Sequence, residues 1–224
     1  MKKIISSLFF LSFAFLVTLS FSSNANAEEL EKVKLKNVFV EIPYDQSEFE
    51  FLKTESQNSV KVDVVDKETG KVLETYGEIV EPTVKAFKEN ATMAATSSYS
   101  VSTVYRQRTD GPAVSRLSTQ LNIYSSGSFR QIQGILNTWW SEATGGSWYL
   151  TREVASAVSM TGSFPTTKVQ VSGSATIEVK TSHSISGEFS ISALQSAGYS
   201  YGYTSGSEVF YRKPISLGFQ YSLY

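Results

Sequence analysis

The chain has 224 residues, 18% of them charged and 13% aromatic, with one histidine, no cysteine and a net charge of −1. The lack of cysteine excludes a disulfide framework, a thiol nucleophile, a lipidated N-terminal Cys and a cysteine metal site. A balance this close to neutrality also argues against nucleic acid, which asks for a basic stripe.

Met1-Lys2-Lys3, the apolar stretch Leu8 to Leu19 and the small-residue site Ala25-Asn26-Ala27 satisfy the three requirements of a secretory signal peptide. Residues 1–27 are therefore expected to be removed after Ala27, leaving a secreted, extracellular chain of bacterial type. Beyond this leader the charge is uneven. Residues 28–100 hold 9 Lys against 15 Asp or Glu, a balance of −6, whereas residues 101–224 hold 9 Lys or Arg against 6 Asp or Glu, a balance of +3. This predicts an acidic, β-rich N-terminal region over 28–96 and a Ser/Tyr-rich antiparallel β domain over 97–224. The acidic part reads either as a small unit with its own role or as a pro-region masking the Arg-bearing part until the Ala94–Ser98 linker is cut.

In chain order, Val38 to Ile42 and the residues around Phe49 and Phe51 read as short half-buried strands. Val60 to Val65 and Val72 to Tyr76 form a hairpin about the polar turn ending at Gly70. Pro82 can open a short helix with Val84, Phe87 and Ala91 on one face. Strands then follow over Tyr99 to Arg108 and Val114 to Tyr124, joined by a turn at Thr109 to Pro112. Phe129 to Trp140 carries both signals. Its apolar spacing fits a helix, but Gly134, Asn137, Thr138 and the Trp139-Trp140 pair favour a strand, which is the reading adopted. Thr144 to Ser147 turns the chain into Trp148, Tyr149 and Leu150.

From Lys168 to Ser192 every even position is polar, while the odd positions include Val169, Val171, Ala175, Ile177, Val179, Ile185 and Ile191. That is β structure with one dry and one wet face, either a hairpin turning near Thr181 to Ser184 or one long bent strand. Tyr199, Tyr201 and Tyr203 then project from one strand face, and Ile215 to Leu223 alternates to the end. The fold class is all-β: an antiparallel sandwich or elongated sheet, preceded by a small β-rich region with at most one helix.

Catalytic chemistry has little to work with. His183 is the only histidine, with no carboxylate-rich segment to orient it, and reads as a loop or structural residue. The carboxylates of the second half are scattered, and Glu178 and Glu188 on the wet face read as solvated. No phosphate loop, zinc spacing or calcium loop is present, so the chain reads as non-enzymatic, with no cofactor and no metal.

Aromatic residues and arginines are the better candidates for ligand binding. Trp139, Trp140, Trp148, Tyr199, Tyr201 and Tyr203 offer flat rings with polar edges, suited to sugars or a membrane interface and equally to a core or a cross-strand ladder. Arg106 and Arg108 share a strand face that can meet an anionic polymer, an anionic membrane surface or the chain's own acidic half. The reading that asks least is a module binding an extracellular partner: a cell-wall or other envelope polymer, a glycan or a protein. The alternative is a pore former. Segment 168–192, rich in hydroxyls and low in charge, resembles the Ser/Thr-rich insertion hairpins of aerolysin-like toxins, and that resemblance, confined to this segment, implies membrane insertion.

Overall fold

The computed structural model describes residues 30–81 and 97–224. The expected signal peptide, its cleavage site, the helix after Pro82 and most of the Ala94–Ser98 linker lie outside the described residues.

Among the described residues, twelve strands form two antiparallel six-stranded sheets. The first holds β1 (Glu31–Lys34), β2 (Phe39–Ile42), β9 (Trp148–Ser159), β10 (Lys168–Thr181), β11 (Ser200–Ser205) and β12 (Glu208–Ser222). Its order is β1-β2-β12-β10-β9, with β11 on the flank of β12. The second sheet runs in sequence order through β3 (Phe49–Glu55), β4 (Ser59–Asp66), β5 (Val72–Val80), β6 (Ser97–Asp110), β7 (Ala113–Ser126) and β8 (Phe129–Glu142). Both predicted hairpins, β4–β5 and β6–β7, are present, and Phe129–Glu142 is a strand.

One core lies between the sheets. Val62, Val64 and Leu117 from the second meet Val169, Val171, Ile177 and Leu217 from the first. The alternation along β10 is the reason it sits centrally: its odd side chains are dry, and both of its edges are bonded, to β12 over the whole strand and to β9 over most of it. Gly173 interrupts the dry series for a packing reason. A Cβ there would lie 2.8 Å from both Trp140 Nε1 and the Val154 carbonyl, so glycine lets the indole cross the strand.

Three sequence expectations are corrected. The 168–192 segment is neither a hairpin nor one long strand. β10 stops at Thr181, and the chain passes through a 3₁₀ turn at Gly187–Phe189 into a short helix α1 (Ile191–Ser196). Serine chemistry explains the error, since the Ser190 side chain accepts from the Ala193 N–H and caps α1.

The acidic and Arg-bearing parts share both sheets. β5 pairs with β6 over seven residue pairs, β2 pairs with β12, and Glu78 joins the two sheets. Wholly buried, Glu78 accepts the N–H groups of Lys36, Asn37 and Val38 at one oxygen (2.9, 2.8 and 3.2 Å) and the Ser102 hydroxyl at the other (2.8 Å).

Tyr199, Tyr201 and Tyr203 do not share a face. Tyr199 precedes β11 and is buried, while a bulge sets Tyr201 opposite Tyr211 and Tyr203 opposite Phe210. Adjacent residues of β12 point to opposite faces, so their partners do as well. Finally, Glu178 is not solvated but 3% exposed.

Candidate functional site

Arg106 and Arg108 do share a strand face, as their spacing requires, but it is the inner one. Arg106 sits diagonally from Glu74 on β5 and donates to both of its oxygens, Nε to Oε2 at 2.8 Å and Nη2 to Oε1 at 2.6 Å. Its Nη1 reaches across the sandwich to the Gly218 carbonyl. That carbonyl lies on a stretch of β12, 213–220, which has no strand neighbour on the side away from β10 among the described residues. Arg108 grips Asp110 at 2.9 Å through two nitrogens, and Lys213 reaches the same carboxylate at 2.8 Å. Burial alone would raise the Asp110 carboxyl, but the hydrogen bonds and charges of Arg108 and Lys213 outweigh it and hold the group below its ordinary value. These arginines are internal fasteners.

The tryptophans divide similarly. Trp140 is buried, with Nε1 donating to the Val154 carbonyl at 3.0 Å, and Trp148 is buried in the same core. Trp139, opposite Ser118 on the outer side of β8, is half-buried. The Tyr199 hydroxyl donates to the Asp110 carbonyl at 2.7 Å from within the core, and burial pushes its phenol up. Tyr201 is exposed, its ring edge-on to Tyr211. His183 lies in the exposed loop after β10.

What the structure does assemble on a surface is the outer face of the first sheet. Register places Glu178 of β10 between Tyr149 of β9 and Arg212 of β12. The Tyr149 hydroxyl and Arg212 Nε each donate to its carboxylate, and the Tyr203 hydroxyl does so at 3.4 Å. Burial works to raise the Glu178 carboxyl, but these donors and the Arg212 charge prevail and hold it below the usual range. The bond to Glu178, more than burial, raises the Tyr149 phenol.

Tyr203 stacks on Phe210 with centroids 4.4 Å apart and planes 1° from parallel, and the Arg212 guanidinium lies 5.0 Å from the Tyr203 ring. Gly202 permits this, because a Cβ there would come within 2.9 Å of the Phe210 carbonyl and 3.2 Å of the Arg212 stem. Tyr149 and Tyr203 remain 37% and 38% exposed above a fixed anion.

From this cluster a polar strip runs along the sheet through Ser174, Ser172 and Gln170 of β10. It is flanked by Ser156 of β9, whose hydroxyl is 3.2 Å from that of Ser172, and by Ser216 and Gln220 of β12. The Lys168–Glu41 pair, at 2.7 Å, closes the far end. Between Glu178 and Gln170 the strip measures about 26 Å at the rise of an extended strand. Sequence reasoning saw its serines but missed Glu178, Tyr149, Arg212 and Phe210 as a group. The missing information was strand order, since only the placement of β10 between β9 and β12 brings these four together.

Comparison of the chain with protein-family models, with curated proteins and with solved structures returns no match.

Proposed function

We propose that this is an exported, non-enzymatic binding module. The outer face of its first sheet takes a hydroxyl-rich polymer of the cell envelope or extracellular matrix. The observation that carries the reading is the pairing of two half-exposed tyrosine rings with a fixed carboxylate and guanidinium at one end of an uncharged hydroxyl and amide strip. Rings supply stacking area at little entropic cost, and the ionic pair and hydroxyls supply oriented donors and acceptors for sugar hydroxyls. Glu178, held ionised by three donors, serves as an acceptor and not as a proton shuttle.

Pore formation is the weaker reading. Insertion would require β10 to leave ladders with both β12 and β9, and the second arm expected for the hairpin is a 3₁₀ turn and a helix.

The test is retention on insoluble polysaccharides and isolated cell walls, with liposome dye release as a parallel arm. The reading predicts retention on a glycan polymer that weakens about tenfold in Tyr203→Ala, in line with the loss of one stacking contact. Retention equal in Tyr149→Ala, Tyr203→Ala and the unaltered protein would contradict it, as would dye release without polymer binding. The export claim predicts Glu28 as the first residue of the protein recovered from the medium.

A further inference from the structure

The first sheet ends in an edge that differs from its surroundings. β9 pairs with β10 alone among the described residues. The Met160 N–H donates to the Lys168 carbonyl, which places the even residues of this end of β9 in the ladder with β10 and turns the N–H and C=O groups of Ala155, Ala157 and Ser159 toward the open side. Edge strands in monomers are usually guarded by Lys, Pro, inward charges or bulges. Here the guard stops early. Arg152, at φ 54°, and Glu153 occupy a bulge opposite the Ser174–Thr176 step, and beyond it residues 154–159 carry no charge and no proline.

Val154 and Val158 on this edge are 65% and 54% exposed, and both project on the outer face with Ser156 between them.

The sequence of the edge is its own mirror image: Val154-Ala155-Ser156-Ala157-Val158. In an antiparallel pairing of two identical strands about a two-fold axis, residue i meets its symmetry mate in reverse order. Centring the axis on Ser156 sets Val154 against Val158 of the partner subunit, Ala155 against Ala157 of the partner subunit, and Ser156 against itself. The outward N–H and C=O groups of Ala155 and Ala157 are then the ones that bond across the axis, and Ser156 falls at a non-hydrogen-bonded pair. Glu153 meets an uncharged Ser159, so no like charges oppose each other.

We propose that the occupant of this edge is a second copy of the chain. Two molecules join β9 to β9 in that register, making one continuous sheet and setting the exposed valines side by side as cross-strand pairs. The contact is small, and association is accordingly weak and reversible. The pairing extends the polar outer face across both copies and would strengthen binding to a repetitive polymer through avidity, but the association itself does not depend on the polymer reading.

The absence of cysteine makes the register directly testable on the full chain. At a non-hydrogen-bonded antiparallel pair, Cα atoms lie about 4.5 Å apart, within disulfide range. Ser156→Cys should form a covalent dimer under mild oxidation. Val154→Cys and Val158→Cys should each fail to cross-link alone and should cross-link when mixed. In sedimentation, concentration-dependent dimerisation should be lost in Ser156→Lys and in Ser156→Glu and return when the two are combined. Position 156 is exposed, and an unchanged circular dichroism spectrum shows that each variant is folded. A Ser156→Cys protein that remains monomeric on oxidation overturns the proposal, as does a Val154→Cys protein that cross-links to itself as readily.

Discussion

Arg106 holds both oxygens of Glu74 from inside the sandwich and gives its remaining nitrogen to the Gly218 carbonyl of the opposite sheet. A single side chain thereby neutralises a carboxylate that is 3% exposed, covers the Tyr76 ring at 5.3 Å and fastens a stretch of β12 that lacks a strand neighbour there. The acidic and Arg-bearing parts of the chain meet through pairs built into shared sheets.

Removing one member of such a pair leaves a buried charge without a partner. Arg106→Ala is expected to destabilise the fold by about 3–5 kcal/mol, whereas Arg106→Met combined with Glu74→Leu recovers most of the loss. Urea unfolding with a double-mutant cycle measures both. A cost below about 1 kcal/mol for Arg106→Ala would return this arginine to the class of surface charges.

The sequence was most legible where one physical signal dominated. Alternation from Val169 to Val179 predicts a strand with a dry odd face, and Val60 to Tyr76 with its glycine turn predicts a hairpin; both are present. It was least legible where two signals overlapped. Ser182 to Ser192 keeps the alternating parity of β10, yet the chain turns within it and Ser190 caps a helix. Arg106 and Arg108 look like surface residues because nothing local reveals that Glu74 and Asp110 wait inside with them. Trp140 and Trp148 are indistinguishable from a binding pair until Gly173 is seen to lie beneath the first of them. Site residues on three strands cannot be gathered without strand order, and alternation is silent on order.

Acid should act through the two lowered buried carboxyls, that of Glu178 and that of Asp110. Each folded carboxyl is depressed, so the folded state binds fewer protons than the unfolded one, and the contribution to stability is complete above the ordinary carboxylate range and lost as pH falls through the lowered value. The urea midpoint is expected to stay level from neutrality to about pH 5 and to drop below about pH 4. Asp110→Asn should lower the neutral plateau and flatten the acid limb. An Asp110→Asn variant with the same neutral plateau and the same acid limb as the unaltered protein would show that the Arg108–Asp110–Lys213 cluster contributes nothing.

A cut in the backbone between Glu81 and Ser97 should not release the acidic part. β5 remains paired with β6, β2 remains paired with β12, and the Ser102 hydroxyl still donates to Glu78 across the cut. An engineered protease site in this interval is expected to give two fragments that co-elute in native size exclusion and separate only in denaturant. Separation under native conditions would restore the idea of a removable mask.

The central claim is that the outer face of the first sheet, around Glu178, Tyr149 and Tyr203, is where a ligand sits. Amide chemical-shift mapping, with soluble fragments of whichever polymer retains the protein, tests it most directly. The account predicts perturbations concentrated on β10, β9, β11 and β12 at Glu178, Ser174, Tyr149, Tyr203 and Arg212, diminishing toward Gln170. Perturbations centred instead on the exposed Tyr99–Tyr124–Phe129 group of the second sheet would contradict it.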